Sequence, residues 1–135
     1  IKIFFKDLII FTNKFLIFSL EILLKLIVFV KKLNKYLQGK IDTYCYMVEN
    51  GKPAALFPIK KSSTDLVENY IEEQGLNVVI KELSNNWCEL WVYKYPHIKN
   101  VIKSLKEKPE TKVDHWILGK LFGYEEVSIQ SFLKD

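Results

Sequence analysis

The chain has 135 residues, of which 49% are hydrophobic and 27% charged, and its net charge is +4 at neutral pH. This length and apolar content fit one globular domain and exclude an intrinsically disordered chain. All twenty basic residues are Lys, which excludes an arginine-finger enzyme within this chain and argues against a reader of base sequence, because Lys lacks the planar fork of Arg.

Residues 1–39 form an apolar and basic first segment. The first 40 residues hold eight Lys and two acids, a balance of +6, whereas the rest of the chain has a balance of −2. On a helix, Asp7, Lys14 and Glu21 fall on one side because they are seven residues apart. We therefore predict a long hydrophobic N-terminal helix that ends at Gly39 and must bury a wide apolar face.

Three interpretations of this helix stay open. In the first it associates with a membrane, where Lys14, Glu21 and Lys25 would each cost about 2.5–3.5 kcal/mol near the bilayer centre, so that lying in the interface is easier than crossing. In the second it packs on the domain or on a partner. In the third it is read-through of noncoding DNA ahead of a start at Met47, because AT-rich codons specify its commonest residues.

Residues 41–135 are predicted to form a small α+β domain. Its four-stranded, mainly antiparallel sheet has the order ββαββα, with helices on at least one face. The first hairpin covers residues 43–59, because Asn50-Gly51 tolerates positive φ and is a strong hairpin signal. A helix over residues 62–75 follows, with apolar residues at helical spacing and a glycine at its end.

The second hairpin joins residues 76–83 to residues 87–95 through a turn-prone Ser-Asn-Asn. In its second strand Trp87, Trp91 and Tyr93 share one face, and aliphatic residues share the other, which we place in the core. If no further layer covers the aromatic face, these three side chains are the candidate surface for a protein partner.

A helix that begins at Pro96 and a C-terminal helical hairpin complete the domain. The hairpin, within residues 115–135, resembles the bacterial helix–turn–helix in three features: Gly119 where the helices approach, Gly123 in the turn, and Ile129 with Phe132 on the inner face of the second helix. Any tight helical hairpin needs small and apolar residues at such positions.

The resemblance implies DNA binding, but the charge of the second helix opposes it. Glu125 and Glu126 lie in its first turn, which would enter the major groove, and carboxylates repel the phosphate backbone. The sequence therefore favours a structural hairpin, with nucleic-acid binding as the alternative. In that alternative the candidate contacts are Lys99, Lys103, Lys106, Lys120 and Gln130.

No catalytic, cofactor-binding or metal-binding residues are predicted. Cys45, Cys88, His97 and His115 lie at none of the spacings that zinc sites use, and no glycine-rich phosphate loop is present. A nucleophilic pair of one Cys and one His is formally available. A cysteine in a strand is more often a small buried hydrophobic residue.

These patterns together favour a non-enzymatic intracellular interaction domain, which the N-terminal helix tethers to a membrane or to a partner under the first two interpretations of that helix. Two cysteines indicate a reducing compartment, so we expect the protein in the cytoplasm, at the membrane surface where the helix tethers it. A protein partner is expected, and no cofactor. The alternatives are a DNA-binding protein that uses the C-terminal hairpin and a small Cys/His enzyme.

Overall fold

The computed structural model of the chain describes residues 2–30 and 33–134. It divides into two units, the first helix and the remainder of the chain from Leu33. The elements are α1 (Lys2–Val30), α2 (Lys35–Glu49), β1 (Ala54–Lys60), a 3-10 turn (Lys61–Ser63), α3 (Thr64–Glu73), β2 (Asn77–Glu82), β3 (Trp87–Tyr93), α4 (Pro96–Ser104), α5 (Lys112–Leu121) and α6 (Glu126–Lys134). The α+β class and the hydrophobic N-terminal helix are as predicted.

The predicted four-stranded sheet is wrong: over the described residues the sheet has three antiparallel strands in the order β1-β3-β2. The central strand β3 pairs along its length with both neighbours, so that Leu90 lies opposite Phe57 on one side and Ile80 on the other. Because both outer strands run antiparallel to β3, β1 and β2 run parallel to each other, and α3 connects them. This arrangement is a split β-α-β unit.

Residues 43–49, predicted as the first strand of the sheet, belong instead to helix α2. Asn34 caps its start by accepting a hydrogen bond from the Leu37 N–H on its side-chain Oδ1, at 2.7 Å. One face of α2 then enters the core at helical spacing, through Ile41, Cys45 and Val48. The segment is rich in aromatic and β-branched residues, which favour strands. Burial of this face outweighs that preference and makes the segment helical.

Two glycines, Gly51 and Gly39, have roles in α2 that differ from the hairpin turn and the helix end predicted for them. Gly51 has a φ of 110°, and its N–H donates to the Val48 carbonyl at 3.3 Å, so Asn50-Gly51 ends the helix rather than turning a hairpin. Positive φ is needed at a helix C-terminus as well as in a hairpin turn, so the dipeptide fits both. Gly39, predicted as a helix end, lies inside α2.

The sheet has an apolar core on each face. On one face α2 and α3 cover the aliphatic side of β3, as predicted, and the largest fully buried side chain is Phe57. On the other face α4 and α5 cover the aromatic side, where Trp91 and Tyr93 pack with Ile102 and Leu121. The domain therefore has three layers, with helices on both faces of the sheet.

A polar contact at the surface fixes α2 against α3. The Tyr70 hydroxyl donates to Asp42 Oδ1 at 2.8 Å and accepts from Gln38 Nε2 at 3.0 Å. The bond to Asp42 raises the pKa of Tyr70 above its usual value, because the phenol must keep its proton to donate.

Several predicted boundaries are confirmed. The β2–β3 hairpin closes where the N–H groups of Leu83 and Ser84 both donate to the Trp87 carbonyl, at 3.1 and 3.0 Å. Gly75, with a φ of 80°, ends α3. Pro96 opens α4, where its missing N–H leaves no helical bond unmade.

The C-terminal hairpin forms as predicted, with one exception. A capping box starts α5: Thr111 Oγ1 accepts from the Asp114 N–H at 3.1 Å, and Asp114 Oδ2 accepts from the Thr111 N–H at 3.0 Å. Gly123 has a φ of 74° in the turn, and Ile129 is buried. Phe132, predicted on the buried face of α6, is 65% exposed, and the His115 ring contacts it without burying it.

Candidate functional site

The largest apolar surface of the described chain lies on α1. Between residues 9 and 27, thirteen large apolar side chains are each 42–69% exposed. Four consecutive ones, Phe15 to Phe18, point in four directions around the axis because successive residues are about 100° apart. The apolar surface of α1 is therefore much wider than the stripe that one partner helix covers.

Charged side chains on the described part of α1 form one narrow stripe. Lys14, Glu21 and Lys25 fall within about 40° of one another at helical spacing. On the far side of the helix, the hydroxyls of Thr12 and Ser19 donate to backbone carbonyls of the preceding turn, each at 2.9 Å. These two hydroxyls are thereby satisfied inside the helix and can enter an apolar phase.

The same charges limit how α1 can meet a bilayer. In the described part of the chain, no helix combines the length and the apolar character that crossing a membrane requires. Crossing would place charged side chains near the bilayer centre, at about 2.5–3.5 kcal/mol for each Lys.

The aromatic residues predicted as a partner surface lie in different surroundings. Trp87 is 41% exposed at the start of β3, beside Lys60 and Lys61. Trp91 and Tyr93 are buried under α4 and α5, and burial raises the pKa of Tyr93 above its usual value. The condition for that surface, an uncovered aromatic face, is thus met for Trp87 and not for the other two.

Trp91 lies at the wall of a cleft beside the sheet. Its ring stacks on Phe122 with 5.8 Å between ring centroids, and Lys81 Nζ lies 5.9 Å from its centroid. Its indole N–H is buried and has no hydrogen-bond acceptor among the described residues. The cleft holds about 720 Å³ between the sheet, the α4–α5 loop and α5. Sequence reasoning missed it, because it depends on how the α4–α5 loop crosses the sheet.

The candidate nucleic-acid contacts do not form one basic surface. Lys99 and Lys103 are exposed on α4. Lys106 Nζ lies 3.3 Å from Asp114 Oδ2 and 3.7 Å from Glu110 Oε2, so it pairs with both carboxylates. The remaining two candidates, Lys120 and Gln130, lie on the hairpin and also contact an acidic side chain.

The acidic side chain is that of Glu126, which accepts hydrogen bonds from three polar side chains of the hairpin. Lys120 Nζ lies 2.6 Å from Glu126 Oε2, Gln130 Nε2 donates to Oε1 at 2.7 Å, and Trp116 Nε1 donates to the same carboxylate at 3.1 Å. These bonds, that of Lys120 first, lower the pKa of Glu126 to about 2. Lys120 and Gln130 are therefore engaged within the hairpin, where a DNA reader would need them free.

The two cysteines lie in the interior. Cys45 and Cys88 are 1% and 2% exposed and belong to the core between the sheet and helices α2 and α3. Burial, together with the nearby Asp42 and Glu49 carboxylates, raises the pKa of Cys45 to about 11. A thiol that stays protonated at neutral pH is a poor nucleophile.

Each histidine contacts an aromatic ring. His97 stacks on Tyr95 with 5.9 Å between ring centroids, and His115 packs edge-to-face with Phe132 with 5.5 Å between centroids. In the described ranges no three His, Cys, Asp or Glu side chains are grouped as metal ligands.

Comparison of the chain with protein-family models, with curated proteins and with solved structures gave no match. The surfaces of the chain itself are therefore the basis for inferring its function.

Proposed function

We propose that the chain is a non-enzymatic interaction protein whose α1 helix lies in the interfacial layer of an anionic membrane and holds residues 33–134 at that surface. The observation that carries this proposal is the band of thirteen exposed apolar side chains on α1. Leaving that band in water is unfavourable, since each buried Leu, Ile or Phe contributes about 1.5–3 kcal/mol.

The width of the apolar band favours lipid over a second copy of α1. A two-stranded coiled coil covers a narrow seam of residues spaced three and four apart. Consecutive exposed residues such as Phe15, Leu16 and Ile17 cannot all lie in such a seam. A lipid phase covers an apolar surface of any width.

The charge pattern favours an in-plane orientation and an anionic surface. With α1 parallel to the membrane, the stripe of Lys14, Glu21 and Lys25 can face water while the opposite side enters the acyl boundary. The excess of Lys over acids in the first 40 residues adds attraction to anionic lipids, about 1 kcal/mol for each Lys near the surface.

The surroundings of the cysteines and histidines support the non-enzymatic part of the proposal. Both thiols are buried in one core, and each histidine ring contacts an aromatic ring. The partner that residues 33–134 would meet at the membrane stays a prediction.

Co-sedimentation of the full chain with lipid vesicles tests the proposal. We expect binding to phosphatidylcholine vesicles that contain phosphatidylglycerol, and weaker binding to phosphatidylcholine alone. Leu23→Glu and Ile10→Glu add the same charge at exposed positions about 140° apart on the helix, with Leu23 opposite the charged stripe. Leu23→Glu should lower the partition coefficient about tenfold or more, because it removes an inserted apolar side chain.

Ile10→Glu, beside the charged stripe, should lower binding by about fivefold or less, because it changes the electrostatic attraction to the lipid and not the inserted side of α1. Equal loss in the two variants would show that charge rather than the apolar side of α1 drives binding. A full chain that stays in the supernatant with both kinds of vesicle would contradict the proposal.

A further inference from the structure

We propose that residues 33–134 make their own contact with the anionic membrane surface, through the α4 patch: Lys94, Tyr95, Lys99 and Lys103. This contact sets which side of residues 33–134 faces the lipid headgroups. The inference rests on the proposed function, because α1 is the element that brings these residues to the membrane.

The lysines of the α4 patch are available to an anionic surface. Lys94, Lys99 and Lys103 are exposed, and none of them pairs with a carboxylate in the described part of the chain. Lys99 and Lys103 are four residues apart, so they lie on one side of α4, a helix whose sequence holds no acid. By contrast, Lys106 and Lys120 already pair with carboxylates.

An exposed aromatic ring lies next to these lysines. Tyr95 directly precedes α4 and is 55% exposed, and Lys94 Nζ lies 5.8 Å from the centroid of its ring. A tyrosine has an apolar ring and a polar hydroxyl, which suits it to the boundary between headgroups and acyl chains. The α4 patch therefore combines charge for anionic headgroups with a side chain for the layer beneath them.

The opposite side of the sheet carries the opposite charge. α3 packs on the other face and holds no lysine and four acids, Asp65, Glu68, Glu72 and Glu73. Two helices on either side of a sheet are roughly 20 Å apart, because each layer adds about 10 Å. Charge is screened over about 8 Å at physiological salt. With α4 at the headgroups, the acids of α3 are too distant to be repelled, whereas the reverse orientation brings them against an anionic surface.

The residue types of the α4 patch favour lipid over nucleic acid. A headgroup layer offers negative charge without a fixed pattern, which point charges on flexible lysine side chains can follow. Nucleic-acid surfaces commonly add Arg, which binds phosphate with two hydrogen bonds and stacks on bases, and the chain has none.

Quenching of two single-site labels tests which side faces the lipid. Asn100 on α4 and Asn69 on α3 are both exposed. Each is replaced by Cys in the full chain and labelled with a thiol-reactive fluorophore, while the buried Cys45 and Cys88 stay unlabelled. On vesicles that contain phosphatidylglycerol and a lipid with a nitroxide headgroup, we expect strong quenching at position 100 and little at position 69. The difference should shrink in 1 M salt, where the screening length falls to about 3 Å.

Two charge variants supply a matched measurement of binding. Asn100→Glu and Asn69→Glu make the same change on the two sides of the sheet. Asn100→Glu should weaken binding to these vesicles about fivefold, because it offsets the attraction of about one lysine. Asn69→Glu should leave binding unchanged, since position 69 lies beyond the screening length.

Three results would overturn the α4 contact and leave the proposed function standing: equal quenching at the two positions, a difference in quenching that persists in 1 M salt, or equal binding by the two Glu variants. A DNA duplex that binds the full chain at low salt and is lost in Asn100→Glu would assign the α4 patch to nucleic acid and would overturn it too. A full chain that binds no vesicles would overturn both proposals.

Discussion

Gly119 on α5 lies directly against Ile129 on α6. A Cβ placed on Gly119 would come 2.8 Å from Ile129 Cγ1 and 2.9 Å from Cδ1. Real Cβ contacts are longer, so the close approach of the two helices requires the missing side chain. The hairpin is thus held by an apolar contact at its centre and by the Glu126 hydrogen bonds at its surface.

Gly119→Ala is expected to destabilise the fold by about 1–2 kcal/mol. The added methyl group forces α6 outward, which outweighs the better helix propensity of Ala. Gly39→Ala is the matched control, since Gly39 lies within α2 and has no atom within 4 Å of an added Cβ. It should stabilise by about 0.5–1 kcal/mol. Urea unfolding measures both, and equal stability of the two variants would contradict the packing described for the hairpin.

The hairpin is also expected to weaken in acid. Glu126 has a pKa lowered to about 2 from a usual value of 4.5. A carboxyl whose pKa is lower in the folded chain stabilises the fold above its unfolded pKa, and this stabilisation is lost as pH falls from about 4.5 towards 2. The pKa of Asp114 is lowered in the same direction, by the N–H groups of Thr111 and Glu110.

Glu126→Gln should therefore flatten the dependence of unfolding free energy on pH between 4.5 and 2. Glu125→Gln is the neighbouring control, because the Glu125 side chain has no ion pair or side-chain hydrogen bond in the part of the chain that is described. Its pH dependence should match that of the unsubstituted chain. An unchanged slope in Glu126→Gln would mean that the Lys120, Gln130 and Trp116 contacts do not persist in solution.

Neither cysteine is expected to react in the folded chain. Iodoacetamide at pH 7.4 should modify Cys45 and Cys88 at the rate of unfolding, because both thiols are buried and the pKa of Cys45 is raised to about 11. Denaturant should expose both. Mass spectrometry after timed labelling measures this. Fast modification of either thiol under native conditions would instead support the Cys/His enzyme alternative.

The sequence predicts most of the second unit correctly, because its signals are local and consistent. Gly75 and Pro96 mark an end and a start that any fold would need there, and Gly119 with Ile129 has the spacing of a tight helical hairpin. These residues fix backbone conformation or close approach by themselves.

The first strand was predicted wrongly because local signals there conflict with burial. Asn50-Gly51 satisfies a hairpin turn and a helix end equally well, and a glycine inside a helix, as at Gly39, costs just about 0.5–1 kcal/mol. Burial of one face of α2 against the sheet contributes more than that. The helical spacing of Ile41, Cys45 and Val48 was the available signal.

The burial of Trp91 and the exposure of Trp87 could not be predicted from the sequence of β3 alone. Trp87 and Trp91 share one face of β3, and nothing local tells which of them a later helix covers. That outcome depends on where α4 and α5 cross the sheet. The wide apolar band of α1, in contrast, follows from composition alone.

A spin-label scan of α1 on vesicles that contain phosphatidylglycerol tests whether the helix lies in the plane of the membrane. Single nitroxide labels at positions 9–27 of the full chain report immersion depth through their contact with oxygen and with a water-soluble quencher. We expect a shallow depth that rises and falls every 3.6 residues, with Leu23 among the deepest positions and Glu21 among the shallowest. A depth that changes steadily along the helix, or labels without lipid contact, would contradict an in-plane anchor.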